Sequence, residues 1–418
     1  MLGRALLFIA LAGLLSSGIY LLLALIAAFR LRFALPEPAP SGEGEVALPP
    51  VTVLKPLRGM EPLMEQNLES FYRQEYPCFE LIFGARNGSD PALQIVEALR
   101  QKYPGVTTRI ILSGEPACPH PKIHALTKMI VAASYPYLVI TDSDVQVNPD
   151  FLRQVVSPLL DSSVGLVTCI YRGVPTGGFW SLLEALGMSV ELTSGVLVAE
   201  MLEGMKFALG PAMATRKDVL AMLGGIEALG DYCADDFALG QLTDAAGKKV
   251  LLSRHVIDHV VQNRSARASW VHQLRWLRST RFSRPLGHAG TGMSFALPFG
   301  LLGMAAGLAT GSWTLGFGLL GLAALNRIVL SVVVGWGVVR DARSLWFCWL
   351  YPVRDLEGFF LWCTSFFGTE IVFRGELYQV EPRGKMTRKS GPLSPAPKSS
   401  DGEAQGSSSG SITVNHLP

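Results

Sequence analysis

The sequence predicts an α/β domain with a mostly parallel, Rossmann-like sheet, flanked by N-terminal and C-terminal transmembrane helices. Two observations support this fold class. Apolar residues make up 49% of the chain and are concentrated towards its two ends, which is typical of a membrane protein. Between the ends, short β-branched runs alternate with amphipathic stretches, and this pattern indicates a sheet covered by helices on both faces.

Composition excludes two other classes of protein. The 36 basic and 34 acidic residues nearly cancel, so we expect no nucleic-acid partner. The six cysteines form no CxxC pair and have no histidine at ligand spacing, so the sequence predicts neither a zinc site nor a disulfide framework.

Residues 1–33 are predicted to form a transmembrane helix, because residues 5–29 carry no charge and are numerous enough to cross a bilayer core of about 30 Å. A cleaved signal peptide is the alternative, but its apolar region is shorter. Arg30 and Arg32 outweigh Arg4, which predicts that the following chain is cytosolic.

Residues 34–49 are rich in Pro, Gly and Glu, as in a linker, and residues 50–285 are predicted to form the α/β domain. Its expected strands are Val51–Lys55, Phe79–Ala85, Thr108–Leu112 and Tyr137–Thr141. Helices are expected to begin near residues 61, 91 and 122 and after Pro149.

Residues 286–343 are predicted to hold two transmembrane helices, near 291–311 and 314–339. We expect residues 344–380 to be an interfacial or re-entrant segment, since charges interrupt it and are costly at the bilayer centre. Residues 381–418 read as a disordered, basic and Ser-rich tail. The apolar stretch 177–205 carries four glutamates and is predicted to be a core helix or a membrane-dipping helix.

Acidic residues follow the predicted strands, where a parallel sheet binds its ligands. Asp142 and Asp144 form an i, i+2 pair suited to a divalent cation, although one of them could cap a helix. Asp90 lies in a segment that is also typical of an ordinary turn. Asp235 and Asp236 begin a predicted helix, where the helix dipole favours acidic residues, and one of them is a candidate general base.

The segment 270–281 is a basic helical stretch that contains Arg275 and Trp276. An interfacial membrane anchor is one interpretation. Beside the acidic motifs, Arg275 is a candidate to stabilise a diphosphate, and Trp276 is a candidate to form a wall of the acceptor site.

Together these motifs resemble GT-A glycosyltransferases of family 2, and more closely the ceramide glucosyltransferase family and its bacterial relatives. The resemblance is carried by VTVLKPLRG, NLESFYRQEYP, PKIHAL, DSDVQV, GPAMATRKDVL, ADDFALG, the Arg275-Trp276 pair and IVFRGELYQV. It implies a GT-A fold for residues 50–285 and an inverting displacement at a UDP-sugar. It also implies Mg²⁺ or Mn²⁺ at Asp142 and Asp144.

The resemblance further implies roles for individual residues. Asp236 matches the family's catalytic base. The donor-binding residues would be Lys55, Asp90, Lys122, Asp142, Asp144, Arg275 and Trp276. The acceptor side is expected at Asp235, His272 and Gln273. This sequence departs from the family in having His272 where the family has Gln or Arg, and His120 and His124 where it has Asn.

The resemblance implies transfer of glucose from UDP-glucose to ceramide or a related lipid by a multi-pass enzyme, expected in a bacterial inner membrane with its catalytic domain in the cytoplasm. The alternative is transfer of N-acetylglucosamine from UDP-N-acetylglucosamine to a hopanoid polyol. A polysaccharide synthase, which needs more spans, and a non-enzymatic membrane scaffold are less favoured.

Overall fold

The computed structural model describes residues 1–33, 48–263, 265–373 and 376–389. The predicted linker therefore lies almost wholly outside the described residues, as does most of the predicted tail. The strands are β1 (Val51–Pro56), β2 (Phe79–Ala85), β3 (Thr107–Leu112), β4 (Tyr137–Thr141), β5 (Val145–Gln146), β6 (Val164–Pro175), β7 (Ala212–Arg216), β8 (Lys249–Val261), β9 (Glu370–Phe373), β10 (Glu376–Val380) and β11 (Met386–Arg388).

The helices of the first half of the chain are α1 (Leu2–Phe33), α2 (Met64–Tyr72), α3 (Ala92–Lys102), α4 (Pro121–Ala132), α5 (Phe151–Val156), α6 (Phe179–Leu186) and α7 (Thr193–Glu203). Those of the second half are α8 (Lys217–Met222), α9 (Asp235–Ala245), α10 (Ala266–Ser283), α11 (Pro285–Gly290), α12 (Leu297–Ala309), α13 (Trp313–Leu330), α14 (Ala342–Trp346) and α15 (Tyr351–Ser365). A π-helical turn, Gly187–Leu192, joins α6 to α7.

An eight-stranded sheet with the order β3-β2-β1-β4-β7-β6-β8-β5 forms the centre of the domain. Strands β3, β2, β1 and β4 pair in parallel, as do β6 and β8. Strand β7 is antiparallel to both of its neighbours, and β5 is antiparallel to β8. The predicted α/β fold class with a mostly parallel sheet is confirmed.

The apolar runs of β1 and β4 place these strands at the centre of the sheet. All six residues of β1 are buried, as are four of the five in β4. Continuous burial of this kind is expected for parallel strands that are covered on both faces. The polar side chains that follow β1 and β4 are therefore held on a rigid edge.

Within the part of the chain that the structure describes, three helical segments are long and apolar enough to cross a membrane: Leu2–Phe33, Phe179–Glu203 and Trp313–Trp336. The first leaves many apolar side chains exposed, including Phe8, Leu15 and Leu22. In contrast, 78% of the apolar window of Phe179–Glu203 is buried inside the protein, so its length and composition alone do not make it a span.

The first of the two expected C-terminal spans is not one straight helix. Residues Pro285–Met293 and Leu297–Ala309 are apolar as a pair but are bent by 42° at their junction. Helix α12 packs closely on α13, because a Cβ on Gly307 would lie 2.6 Å from Gly316 Cα. Small residues allow this approach in membrane helix pairs.

A buried ion pair joins α13 to α15. Arg327 is 1% exposed, and its Nη1 lies 3.2 Å from Asp355 Oδ1. Asp355 Oδ2 accepts hydrogen bonds from the backbone N–H groups of Ala296 and Leu297 at 2.9 and 2.8 Å. One carboxylate thus pairs with an arginine and caps the start of α12.

The end of the described chain differs from the expectation of an interfacial segment to residue 380 followed by a disordered tail. Helix α15 ends at Ser365, and the three strands β9, β10 and β11 form an antiparallel sheet, with the order β11-β10-β9. We call this the C-terminal sheet. Its inward side chains Ile371, Tyr378, Val380 and Met386 are buried around Cys233, and this burial explains why the segment is ordered.

Candidate active site

The site lies where the carboxyl end of β4 meets the start of α4 and α9. Lys122 Nζ is 2.9 Å from Asp142 Oδ1 and 3.5 Å from Asp235 Oδ2. Burial would lower the pKa of Lys122, but the carboxylates of Asp142 and Asp235 outweigh it and raise the pKa. Lys122 therefore stays charged and connects two acidic motifs that are distant in sequence.

Asp235 and Asp236 are adjacent in the first turn of α9 but have different surroundings. Burial alone would raise the pKa of Asp235, yet Lys122 and His120 lower it, and His120 Nε2 lies 3.5 Å from Asp235 Oδ1. Burial, followed by the charge of Asp235, raises the pKa of Asp236 to about 6. Asp236 is thus the more basic of the two carboxylates.

A glycine makes room for Asp236. A Cβ on Gly210 would lie 2.9 Å from Asp236 Oδ2, and any side chain there would push the carboxylate away. The other carboxylate oxygen, Oδ1, accepts a hydrogen bond from the Phe237 N–H at 2.8 Å. The position of this carboxylate is therefore set by neighbouring backbone.

Asp144 lies beside groups that sequence reasoning missed. Its Oδ2 is 3.5 Å from His259 Nε2, while Oδ1 is buried without a hydrogen-bond partner within the described chain. Burial raises the pKa of Asp144, with His259 opposing and Asp142 adding to the rise. Burial, and then the charge of Asp144, raises the pKa of Glu61 to about 7.

These groups can be compared with the needs of a divalent cation. No set of three or more His, Cys, Asp or Glu side chains is arranged to hold a metal ion within the described ranges. However, Asp144 Oδ1 and both ring nitrogens of His259 are buried without hydrogen bonds to any residue that the structure describes. Carboxylate oxygens suit Mg²⁺ or Mn²⁺, so Asp142 and Asp144 fit such an ion, and His259 lies beside Asp144.

Lys55 and Asp90, both expected to bind the donor, hold the framework of the site. Lys55 is 1% exposed and donates hydrogen bonds to Thr141 Oγ1 and Asp142 O at 2.9 and 2.8 Å. Burial lowers its pKa to about 7. Asp90 Oδ1 accepts hydrogen bonds from the N–H groups of Gly59 and Ala92, each at 3.0 Å.

Helix α10 brings Arg275 and Trp276 to the site. Burial lowers the pKa of Arg275, and nearby charges that include Asp142, Asp236 and Asp235 oppose this effect without cancelling it. These three carboxylates and Arg275 therefore share one electrostatic environment. The guanidinium carbon lies 6.0 Å from the Trp276 ring centroid, within the range of a cation–π contact.

The two residues expected on the acceptor side of α10 differ in exposure. The side chain of His272 is 31% exposed, and its ring centroid is 4.4 Å from that of Trp276. Gln273 is only 5% exposed and donates a hydrogen bond from Nε2 to Ser269 Oγ at 2.9 Å. His272 is therefore the accessible member of this pair.

The C-terminal sheet holds the loop that leads into Asp235 and Asp236. Cys233 N–H donates to Gly384 O at 2.8 Å, and Met386 N–H donates to Asp231 O at 2.7 Å. Tyr232 also forms a β-bridge with Lys385. Three successive loop residues are thus attached to the C-terminal sheet.

The sequence did not predict three acidic or imidazole side chains that lie at or near the candidate active site. Glu61 follows the Lys55 motif, and its position after a central strand could have indicated it. His259 lies in β8, more than 100 residues from Asp144, and no local pattern indicates that contact. Glu184 accepts a hydrogen bond from His272 Nδ1 at 2.7 Å, but it was predicted only as part of an apolar helix.

The sequence matches the model of glycosyl transferase family 21 over residues 9–386. Ceramide glucosyltransferase 1 of Caenorhabditis elegans is 30% identical over 214 residues, which are 51% of this chain and 46% of that protein. Ceramide glucosyltransferase of Komagataella phaffii is 37% identical over 135 residues, which are 31% of this chain and 25% of that protein. These matches span less than half the length of each relative.

A mannosyltransferase from Pyrobaculum calidifontis, solved in complex with GDP-Man and Mn2+, is similar in structure. It is 20% identical, with a TM-score of 0.46, over 84% of this chain and 98% of the mannosyltransferase chain.

Proposed function

The chain belongs to glycosyl transferase family 21, and from this premise we propose that it is a membrane-bound inverting enzyme that transfers glucose from UDP-glucose to the hydroxyl of ceramide or a related lipid. The observation that most directly supports this proposal is the buried carboxylate of Asp236, whose pKa is raised to about 6. It shares one electrostatic environment with Arg275 and Asp142. The proposed general base and the proposed diphosphate-binding group therefore influence each other electrostatically.

In the proposed reaction, the acceptor hydroxyl attacks the anomeric carbon of the sugar. A new C–O bond forms, the bond between the anomeric carbon and the diphosphate oxygen breaks, and the hydroxyl proton passes to Asp236. With a pKa of about 6, Asp236 is mostly ionised at neutral pH and still basic enough to assist. Inversion of an α-linked donor gives a β-glucosyl lipid.

Charge on the departing UDP needs stabilisation from fixed groups. Arg275 supplies a buried positive charge, and Lys122, paired with Asp142, keeps a second one nearby. A divalent cation held by Asp142 and Asp144 would neutralise the diphosphate. Curated relatives named ceramide glucosyltransferases support the choice of donor and acceptor.

The proposed location is a membrane, with several spans and the α/β domain in the cytoplasm. Helix α1 and the segment Trp313–Trp336 are long and apolar enough to span a bilayer. Arg30 and Arg32 lie in the last turn of α1, and the positive-inside bias places this end of α1 in the cytosol.

A transfer assay tests the proposed function. Protein purified into lipid vesicles is given UDP-glucose or UDP-N-acetylglucosamine, each with ceramide or with a hopanoid polyol, and the products are identified by mass spectrometry. We expect glucosylceramide as the main product. An N-acetylglucosaminyl hopanoid as the product would show that the donor and the acceptor both differ from those proposed, while the type of reaction stays the same. Absence of any glycosylated lipid would contradict the proposal.

A further inference from the structure

A buried carboxylate on α6 collects hydrogen bonds from three side chains of a distant segment. Glu184 is 2% exposed. Its Oε2 accepts from Ser269 Oγ at 2.7 Å and from Asn263 Nδ2 at 2.8 Å. Its Oε1 lies 2.7 Å from His272 Nδ1. A buried charge is tolerated when it is satisfied in this way.

The contact with Glu184 determines which nitrogen of His272 is available. An ionised carboxylate accepts but cannot donate, so the proton at this contact belongs to Nδ1. Carboxylate–histidine pairs of this kind fix both the tautomer and the orientation of the ring. Since the side chain is 31% exposed, the Nε2 edge of His272 is left to bind another molecule.

The held ring lies next to the candidate active site. Its centroid is 4.4 Å from that of Trp276, and the Trp276 ring lies 6.4 Å from the ring of His259. His259 in turn lies 3.5 Å from Asp144. A chain of neighbouring side chains thus connects Glu184 with the acidic motif.

The segment that carries Glu184 also contacts the membrane helix α1. Tyr20 of α1 and Ser194 of α7 form a hydrogen bond of 2.9 Å between their hydroxyl groups. Lys122, whose positive charge suits a diphosphate, lies instead at the carboxyl end of β4, paired with Asp142. Leu183 and Leu186, on either side of Glu184, pack in one apolar cluster with Ala24 and Ala27 of α1, so a lipid held beside α1 would approach from the side of Glu184.

We propose that Glu184 is a positioning residue for the acceptor: it holds His272 so that Nε2 binds a polar group in the headgroup of the lipid acceptor. This inference rests on the proposed function, since it assumes transfer to a lipid. It assigns a functional role to a buried glutamate of the apolar segment and gives His272 a defined partner.

Kinetics of Glu184→Gln test the role. In vesicles with ceramide as acceptor, we expect kcat/KM for the acceptor to fall by about tenfold or more, as when the partner of a functional histidine is lost. The affinity for UDP, measured by calorimetry, should stay within about twofold, since Glu184 and His272 pair with each other and the charged groups Lys122 and Asp142 pair separately. The matched control is Glu200→Gln, the same change in α7, which should behave as wild type.

A double-mutant cycle separates positioning from a purely structural role. His272→Ala should show the same loss as Glu184→Gln, and the double variant should lose no more than about twofold beyond either single variant. Losses that multiply would show that Glu184 does not act through His272 and would overturn the proposal. A loss confined to UDP affinity would also overturn it, because it would move the pair to the donor side.

The outcomes distinguish this inference from the proposed function. If the wild-type protein makes no glycosylated lipid, the proposed function fails. If it does, and both single variants keep wild-type acceptor kinetics, only the positioning role fails. If Glu184→Gln does not fold, the single variant His272→Ala, which keeps Glu184, provides the test. Unchanged acceptor kinetics in that variant would contradict the proposal.

Discussion

Asp235 and Asp236 show how local surroundings can give neighbouring carboxylates different tasks. Both are buried, but Lys122 and His120 lower the pKa of Asp235 against the effect of burial. Burial and the charge of Asp235 raise the pKa of Asp236. Environments that push two pKa values apart indicate which group carries charge and which exchanges a proton. Asp235 is the fixed anion here, and Asp236 is the proposed base.

Removing the proposed base should separate catalysis from binding. We expect Asp236→Asn to lower kcat by about 10²- to 10⁴-fold, the contribution typical of a general base. UDP affinity by calorimetry should stay near that of wild type. The exposed Asp231 in the preceding loop provides the control Asp231→Asn. An equal loss of UDP affinity would make Asp236 a binding residue.

The raised pKa predicts the pH dependence of the reaction. A base must be ionised, so kcat/KM should be high above pH 6 and fall as the pH drops through about 6, where Asp236 becomes protonated. Asp235→Asn removes a neighbouring negative charge, which should lower the pKa of Asp236 and shift this fall to lower pH. A pH profile that does not move would contradict the coupling.

Two glycines provide a matched steric test. In Gly210→Ala the added methyl would lie 2.9 Å from Asp236 Oδ2, so we expect turnover to fall by about 10²-fold, as for a catalytic group displaced by about 1 Å. A Cβ on Gly195 has no atom within 4 Å, so Gly195→Ala should keep turnover. Steady-state kinetics of both variants provide the comparison, and equal activities would contradict the steric argument.

Among the secondary-structure elements, the C-terminal sheet has the clearest link to catalysis, because it holds the loop before Asp235 through backbone hydrogen bonds to Cys233 and Asp231. A chain that stops after residue 369 lacks this sheet and should lose turnover by about 10²-fold, since misplaced catalytic groups are costly. A chain that stops after residue 389 keeps the sheet and should remain active. Comparable activity in both truncations would contradict this role.

Sequence reasoning succeeded where structure follows from local patterns. Strands Phe79–Ala85 and Tyr137–Thr141 begin and end as predicted, because apolar runs bounded by turn residues define buried strands. The helix expected near residue 61 begins at Met64, after Leu63 with a positive φ of 57°. A left-handed residue of this type is uncommon for leucine, and nothing in the pattern predicts it.

The parts of the site that sequence reasoning missed depend on long-range contacts. His272 and Glu184 are 88 residues apart in sequence, and His259 reaches Asp144 from a strand whose apolar pattern resembles that of any buried strand. The ordering of residues 381–388 was missed as well, because a basic segment gives no local sign of pairing with β10. Such contacts arise only once the whole sheet has formed.

Over the whole molecule, the α/β domain is attached to the membrane helices through α1 and through the segment after residue 285. A protease-accessibility assay tests the proposed orientation. A tag at the C-terminus should be protected in sealed right-side-out vesicles, because the basic residues near the end of the chain favour the cytosol. We therefore expect the protease to cleave the tag only after detergent has opened the vesicles. Cleavage in intact vesicles would place the C-terminus on the opposite side of the membrane.

The pair between Arg327 and Asp355 has a consequence for biogenesis. As α13, a proposed membrane span, leaves the ribosome, Arg327 has no carboxylate partner until residue 355 has also been synthesised, and a lone arginine at the centre of a span costs about 2.5–3.5 kcal/mol during insertion. We therefore expect stable insertion of α13 to wait for α15. Asp355→Leu should leave α13 poorly inserted, and cellular quality control should degrade such a chain, so this variant would be recognised by its low abundance in the membrane rather than by altered kinetics.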